Sequence, residues 1–359
     1  MRQLKVGIVT DNYPTRRHFD EGTFVKDFSD ELVRSGCEVN VIHYRRNFVA
    51  MFLETLAKRR RFDILDAQFI APSGILASLT PKFSPLVISA HRWDILDFPN
   101  RWPTACQWTR FALNRADAII VVSKYIATEA ERFTNDKKKI HVIPNAVDTS
   151  RFVPPTTPDN IRARFGVAKE TLLIFSVGRL AEIKGFGYLL CAFRKVVSDG
   201  FDALLAIAGD GPQRPYLLSL ARTLGISDRV RFLGRIDHAS LEIVRLYSAC
   251  DVFALTSLAE GHSVAITEAM ACGKPIVCSD LPGNGEIVIN GFNGMMAPPR
   301  DPKRIAAAIE TLCASSVLRR QYGKNSRLMA VESFSWRHRI RRILEVYNSV
   351  LDQKRKIDS

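Results

Sequence analysis

Residues 251–278, DVFALTSLAEGHSVAITEAMACGKPIVC, decide how the chain is read. The apolar run DVFALT has the look of a buried strand, and SLA makes a short polar step after it. Small and apolar residues then recur at Val264, Ala265, Ile266, Ala269, Met270 and Ala271, close to helical spacing. Gly273, Lys274 and Pro275 stop that helix, and IVC opens another strand. Strand, loop, helix and strand in succession form the unit of a parallel sheet covered by helices. Glu260 falls in the loop ahead of the helix and Glu268 lies on it. The amides of Gly261, His262, Ser263 and Val264 belong to the first turn, where free N–H groups and the helix dipole suit an anionic or polyhydroxyl ligand. Two carboxylates bracketing that turn can take sugar hydroxyls; the same spacing also fits a surface Glu and a helix Glu in an ion pair.

The same alternation runs outward in both directions. Upstream, LKVGIVT at 4–10 reads as a strand, followed by a loop with Asn12, Pro14 and Gly22, a helix over 24–35 and a strand over 38–43. Further strands are expected at 64–68, 85–89, 118–122 and 140–143, with a helix at 47–59. The turn-rich segment PNAVDTSRFVPPTTP at 144–158 interrupts the pattern and reads as a linker. Strands at 171–177, 203–208 and 230–233 then alternate with helices at 187–197, 215–223 and 241–248, and helices at 302–315 and 336–356 close the chain. The expectation is an α/β protein of two Rossmann-like, doubly wound domains facing a cleft, 1–150 and 151–335, with a last helix in 336–359 packing back toward the first.

Composition narrows the class. A chain of 359 residues with 47% hydrophobic and 25% charged residues suits two ordinary globular domains. No apolar run approaches the roughly 18 residues of a membrane span. The N-terminus passes straight into a strand pattern without a signal peptide. Seven scattered cysteines, never spaced CxxC, argue for reduced, mostly buried thiols in a cytoplasmic protein and against structural zinc. The net charge of +14 gathers at Arg16-Arg17, Arg45-Arg46, 58–61, 137–139 and 337–342. No nucleic-acid module accompanies it, which leaves a phosphate-rich substrate, an anionic membrane surface or a solvated basic face. Residues 45–61, RRNFVAMFLETLAKRRR, fit an interfacial helix with basic ends or an amphipathic helix packed on the first sheet. Trp93, Phe98, Trp102 and Trp108 either line an acceptor mouth or pack in a core.

Three further segments carry chemistry. In SVGRLAEIKGF at 176–186, Arg179 and Lys184 follow a strand end, where cations can hold a diphosphate and stabilise it as it leaves. Gly178 and Gly185 allow close backbone approach there. IAGDGP at 207–212 is a strand and a turn with Gly209 and Gly211; Arg214 stands where a dinucleotide fingerprint needs its third glycine. His91 ends a strand and begins HRWD at 91–94, either capping the strand or serving a site. No D-x-D element or His/Cys cluster has metal-ligand spacing, so no metal is expected.

These segments together resemble the retaining, family-4 type glycosyltransferases of the GT-B fold. Glu260 and Glu268 match the E-x7-E signature, and GRLAEIKG at 178–185 matches G-R-L-x-x-x-K-G. Gly209 and Gly211 resemble the G-x-G-P element, and RFLGRI at 231–236, with Arg235 and Ile236, resembles the segment whose backbone borders the nucleotide base. HRWD resembles H-G-x-D, with Arg92 in place of Gly and Asp94 matching the acid. Gly22 fits a glycine whose N–H approaches the donor phosphate, although Glu21 breaks the usual Gly-Gly pair. PNAVD at 144–148 resembles the linker P-N-G-V-D, and SDLPGNGEIV at 279–288 the segment that follows the signature; Asn145 and Glu286 read as structural.

The likeness is stronger after Pro144. It implies transfer of a sugar from a nucleotide-diphosphate sugar to a glycan or lipid-linked acceptor, with retention and without metal or other cofactor. Arg179 and Lys184 would stabilise the departing diphosphate. Glu268 would hold the ribose, Glu260 and the amides of 261–264 the donor sugar, His91 the reacting face and Asp94 the acceptor. Bacterial polysaccharide or glycolipid assembly at the cytoplasmic membrane face is the setting implied. The alternatives are a nucleotide-sugar epimerase or hydrolase on the same fold, and a non-catalytic synthase subunit.

Overall fold

The computed structural model describes residues 3–15, 22–154, 161–164, 166–168 and 170–358. Arg16-Arg17, Glu21 and the 155–158 part of the expected linker lie outside them. The chain divides into two units, Met1–Pro144 with Arg337–Ser359, and Asn145–Trp336.

The first unit is built on β1 (Lys5–Thr10), β2 (Glu38–His43), β3 (Ile64–Gln68), β4 (Leu86–Ala90), β5 (Ala118–Val121) and β6 (Ile140–Val142). They form a parallel sheet in the order β2-β1-β3-β4-β5-β6. β3, β4 and β5 are buried along their whole length, because helices cover both faces; β4 and β5 are accordingly almost unbroken apolar runs, whereas β3 also buries Asp66 and Gln68. Val9, Leu65, Ile88 and Ile119 from the strands pack with Met51 and Leu113 from helices.

The C-terminal helix Trp336–Asp358 belongs largely to this unit. Its Tyr347 hydroxyl donates to Asp66 Oδ2 at 2.6 Å, and the buried Arg339 donates to the carbonyls of Ile143, at 2.9 Å, and Pro144. Burial pushes the Asp66 carboxyl up to about 6.

Helix Phe48–Lys58 buries only Met51 and Thr55 and leaves Phe48, Val49, Leu53 and Leu56 exposed. The basic run after it is not a uniform solvated face. Arg59 is buried and donates to the Ser84 carbonyl at 2.8 Å, and burial lowers its pKa to about 10.

The second unit contains β7 (Leu172–Val177), β8 (Ala203–Ala208), β9 (Val230–Gly234), β10 (Val252–Leu255), β11 (Ile276–Ser279) and β12 (Gly294–Ala297). They too are parallel, in the order β12-β11-β10-β7-β8-β9. Alternate residues of each strand serve two cores: Leu173, Phe175, Phe253 and Leu255 face one, Ile174, Val252 and Ala254 the other.

The expected break at 150/151 falls instead at Pro144 and Asn145, because the intervening residues are tied into the second unit. Val147 bridges Ser335, and Arg327 donates to the carbonyls of Thr149 at 2.9 Å and Phe152 at 2.8 Å.

Among the elements that went unread in the sequence are β12 and the helix Ser316–Ser333. The helix buries Tyr322 with the small or polar Gly323, Ser326 and Ala330, rather than a continuous apolar stripe. Among the described residues no helix is long and apolar enough to cross a membrane, and all seven cysteines are free.

Candidate functional site

In the second unit the chain leaves β7 for β8 on one side and returns to β10 on the other, so the loops after β7 and β10 diverge at the sheet's switch point. That is where open parallel sheets take ligands. Gly185 ties the two loops together. It is left-handed, with φ 64°, and a Cβ there would stand 2.0 Å from the Thr256 carbonyl oxygen. Thr256 Oγ1 donates to the Gly185 carbonyl at 3.1 Å, and the Leu258 amide to the Ile183 carbonyl at 2.7 Å.

These ties bring Lys184 and Glu260 together. Lys184 Nζ donates to Glu260 Oε1 at 2.6 Å, and Ser257 Oγ donates to the same oxygen at 2.7 Å. The Glu260 side chain keeps 10% of its surface exposed. Helix Val264–Ala271 begins directly beyond, capped by Ser263 Oγ, which accepts from the Ile266 amide at 3.5 Å. Asn145 Nδ2 pins the His262 carbonyl at 3.2 Å, in keeping with the structural part expected for it. Gly261, His262 and Ser263 therefore form the loop between Glu260 and the helix.

Arg179 lies on the β7 loop, exposed, and its guanidinium makes no hydrogen bond or ion pair among the described residues. The loop is held by the β8 turn: Gly178 donates to the Ala208 carbonyl at 3.0 Å and Leu180 to the Asp210 carbonyl at 2.9 Å. Gly209 must be glycine, since its φ is 131° and a Cβ would meet the Gly178 oxygen at 2.0 Å. Gly211 lies against Leu180 in the same turn. Arg235 and Ile236 follow β9, the first exposed and the second packed on the core.

Glu268 is buried and already engaged. Tyr247 OH donates to Oε2 at 2.7 Å, and His238 Nε2 lies 2.5 Å from Oε1. Burial and the neighbouring carboxylate push the Tyr247 hydroxyl well above its ordinary pKa, so it stays protonated. Tyr247 and His238 were not anticipated; neither stands at a motif spacing from Glu268.

In the first unit the expected residues take different parts. The Asp94 side chain is fully buried, and its oxygens accept from the His91 amide at 2.8 Å and the Ile70 amide at 2.9 Å. Asp94 thus fixes the backbone around His91. Arg92, standing where relatives have glycine, pairs with Asp97.

The His91 ring lies 5.0 Å from Phe24 and 4.7 Å from Phe69, centroid to centroid. Its Nε2 is buried with no hydrogen-bond partner among the described residues. Burial, with a smaller contribution from Arg339, lowers its pKa to about 3, so the imidazole is neutral near pH 7. Gly22, with φ 64°, starts helix Thr23–Arg34 against the Asn12 carbonyl. Trp93 is half-exposed, whereas Phe98 is buried. No group of three or more His, Cys, Asp or Glu is placed to hold a metal among the described residues.

Comparison with known proteins agrees with this geometry. Residues 158–329 match the family described as Glycosyl transferases group 1, and residues 42–151 match Glycosyltransferase Family 4. The chain is 30% identical to an alpha-maltose-1-phosphate synthase of Mycolicibacterium smegmatis, over 77% of this chain and 76% of that one. It is 26% identical to an N-acetyl-alpha-D-glucosaminyl L-malate synthase of Bacillus anthracis, over 84% of this chain and 79% of the relative. The Anabaena protein HepE, solved with UDP and glucose, superposes with a TM-score of 0.82 at 22% identity, covering 97% of this chain and 100% of its own. Its likeness extends the two-sheet GT-B fold to this chain. The chain belongs to the group 1 glycosyl transferases, of the family-4 type.

Proposed function

We propose that this glycosyltransferase moves a hexosyl group from a nucleoside diphosphate sugar to a hydroxyl acceptor, with retention at the anomeric carbon and without a metal ion. The observation that carries the reading is the Lys184–Glu260–Ser257 cluster at the switch point of the second sheet, beside a helix N-terminus and the unpaired Arg179 guanidinium.

As the bond from the sugar to the diphosphate breaks, negative charge grows on the departing oxygens. Fixed cations and amides aimed at that charge stabilise the transition state more than the ground state. Arg179 offers a planar fork for two phosphate oxygens, and Lys184 a point charge already positioned by Glu260. Glu260 and the amides of Gly261 to Val264 take the donor-sugar hydroxyls. Glu268, its rotamer locked by Tyr247 and His238, offers its remaining lone pairs to the ribose. His91 supplies an uncharged hydrogen bond from its orphan Nε2.

HepE was solved with UDP and with UDP-glucose, which makes UDP the first base to test. Both named relatives carry alpha-configured products in their names, in line with retention on alpha-linked donors. A glycan or lipid-linked acceptor, in bacterial polysaccharide or glycolipid assembly at the cytoplasmic membrane face, fits the exposed apolar face of helix Phe48–Lys58 with Arg45, Arg46, Arg60 and Arg61 around it.

The test is a thermal-shift screen of UDP, GDP and ADP and their sugars, with and without EDTA. One nucleotide should raise the melting temperature regardless of EDTA, and Arg179→Ala should abolish that rise. No shift with any nucleotide would sink the donor assignment, and a shift lost in EDTA would sink metal independence. The anomeric configuration of the product, read by NMR, decides retention.

A further inference from the structure

Helices Phe186–Ser198 and Arg214–Thr223 follow β7 and β8 and pack beside each other on one face of the second sheet, sharing Leu189, Phe193, Leu217 and Ala221 in one core. Where the two helices begin, their surfaces do not close. Gly187 and Cys191, one turn apart on the first helix, present little side chain to Gln213, Tyr216 and Leu217. The result is a cavity of about 510 Å3, bordered by Ala181, Glu182 and Gly185 of the loop after β7. That volume lies within the usual range for small-molecule sites, about 300–1,000 Å3. The Gln213 amide donates to the Leu180 carbonyl at 2.8 Å, which holds the start of the second helix against the same loop. Neither Arg179, Lys184, Glu260 nor Glu268 lines the cavity, so it is separate from the donor cluster.

Its walls combine rings with polar groups that are free to bind. Tyr216 is 55% exposed and lies against Gly187, where a Cβ would stand 3.6 Å from the ring. Tyr188 is half-buried, and Phe186 and Leu217 are buried. The side chains of Glu182 and Gln213 make no hydrogen bond or ion pair among the described residues, and neither do the two tyrosine hydroxyls. No lysine or arginine lines the cavity.

This lining decides between ligand classes. A phosphate or carboxylate would meet the Glu182 carboxylate with no cation in the wall to receive it. An organic cation would find rings and a carboxylate, but a chain of net charge +14 repels it on approach. A wholly apolar molecule would strand the Gln213 amide and the carboxylate. A sugar unit meets every requirement. Its C–H face lies on a tyrosine ring, its hydroxyls donate to the carboxylate and accept from the amide, and it brings no charge.

We infer that this cavity is a second carbohydrate site, which takes a neutral sugar unit against Tyr216 with Glu182 and Gln213 on its hydroxyls. The unit is either a free monosaccharide or one residue of a glycan chain, and the two sources are tested separately. The inference does not rest on the glycosyl-transfer reading, because a sugar held here undergoes no reaction. The loop that borders the cavity also carries Lys184, which donates to Glu260 at 2.6 Å, so this site and the donor cluster share one short loop.

Saturation-transfer NMR of the full chain with glucose, N-acetylglucosamine and maltotriose reads weak sugar binding, with choline as a charged competitor. The wild type binds a sugar, and choline does not displace it. Tyr216→Ala removes the ring. Gly187→Leu fills the groove, since a Cβ at 187 has the side chains of Tyr216 and Leu220 as its nearest neighbours, at 3.6 and 3.7 Å, an ordinary contact distance. Each variant weakens binding about tenfold or more. Phe292→Ala, which removes an exposed ring elsewhere in the same unit, leaves binding unchanged.

Binding of glucose or N-acetylglucosamine supports the inference with a free monosaccharide; binding of maltotriose alone supports it with a glycan chain. No sugar binding by the wild type overturns it. So do equal binding by wild type, Tyr216→Ala and Gly187→Leu, an equal loss in Phe292→Ala, or displacement of the sugar by choline. A loss in Glu260→Gln with Tyr216→Ala and Gly187→Leu unchanged puts the sugar in the donor cluster and overturns it as well. The nucleotide thermal shift is measured alongside in all variants. Its absence in the wild type sinks the donor assignment alone, and its persistence with failed sugar binding overturns this inference alone.

Discussion

The two sheets are both six-stranded and parallel, in different strand orders, and they prepare their C-terminal edges in opposite ways. At the edge of the second, acids meet donors: Glu260 holds Lys184 and Ser257, and Glu268 holds Tyr247 and His238. At the edge of the first, Asp94 spends both oxygens on backbone amides, and His91 is a neutral ring between Phe24 and Phe69. The second edge is an electrostatic mould whose charges are set before any ligand arrives, so no reorganisation is needed when charge develops. The first is a shape defined by rings and amides, with cations confined to its rim at Arg45 and Arg46. The proposed nucleotide-sugar donor would suit the mould at the edge of the second sheet, and a variable acceptor the shape at the edge of the first.

Lys184→Ala gives the largest expected effect and strikes directly at the contrast. It removes the cation at 2.6 Å from Glu260 while Ser257 remains. The value of kcat/KM should fall about a hundred- to a thousandfold, the usual range for losing one preorganised electrostatic contact in a site. Lys58→Ala removes a surface lysine paired with Glu54 and should leave kcat/KM within error. Equal values for the two variants would mean that the Lys184–Glu260 pair only braces the loops.

Next in size is a pH effect on stability in the first unit. Asp66 is fully buried, and desolvation raises its carboxyl from 3.8 to about 6, against the hydrogen bonds from Tyr347, Gln68 and Ser89. The folded form thus binds this proton more tightly than the unfolded form. Its contribution to stability is complete below about pH 3.8 and is lost as pH rises through about 6. Roughly two pH units of difference correspond to at most about 3 kcal/mol. Asp66→Asn cannot titrate, so the wild-type-minus-variant difference in unfolding free energy should decline between those two values and level off above them. A difference that does not change with pH would show that Asp66 ionises normally.

What could be read from sequence follows the same division. The strands were legible because apolar strand runs alternate with helical spacing, and Arg179, Lys184, Gly185, Glu260 and Glu268 were picked out by the resemblance of their segments to the family's motifs. Helix Ser316–Ser333 was not legible, since its buried face is Tyr322 with the small or polar Gly323, Ser326 and Ala330, not an apolar stripe. Tyr247 and His238 were not, because a hydrogen bond to Glu268 from another element leaves no trace in spacing. The amide contacts of Asp94 were not legible either, because its residue type fits both an acceptor carboxylate and a cap for backbone amides.

The smallest expected effect concerns His91 and tests the neutral side of the comparison. An ordinary histidine, with a pKa near 6.5, changes charge between about pH 5 and 8 and would print that change on a reaction it serves. Here desolvation, with Arg339 adding to it, lowers the pKa to about 3, so the ring carries no charge anywhere in that window. His91→Ala should reduce kcat by removing a hydrogen bond from Nε2, while the ratio of wild-type to variant kcat stays flat across that range. Other groups can bend both profiles, but they bend them alike, and the ratio cancels them. A ratio that falls toward acid with a midpoint near 6.5 would mean that water reaches the ring and that the imidazolium forms. In that case the first edge, too, would work by charge, and the contrast between the two sheets would lie in where their charges are made rather than in whether they have them.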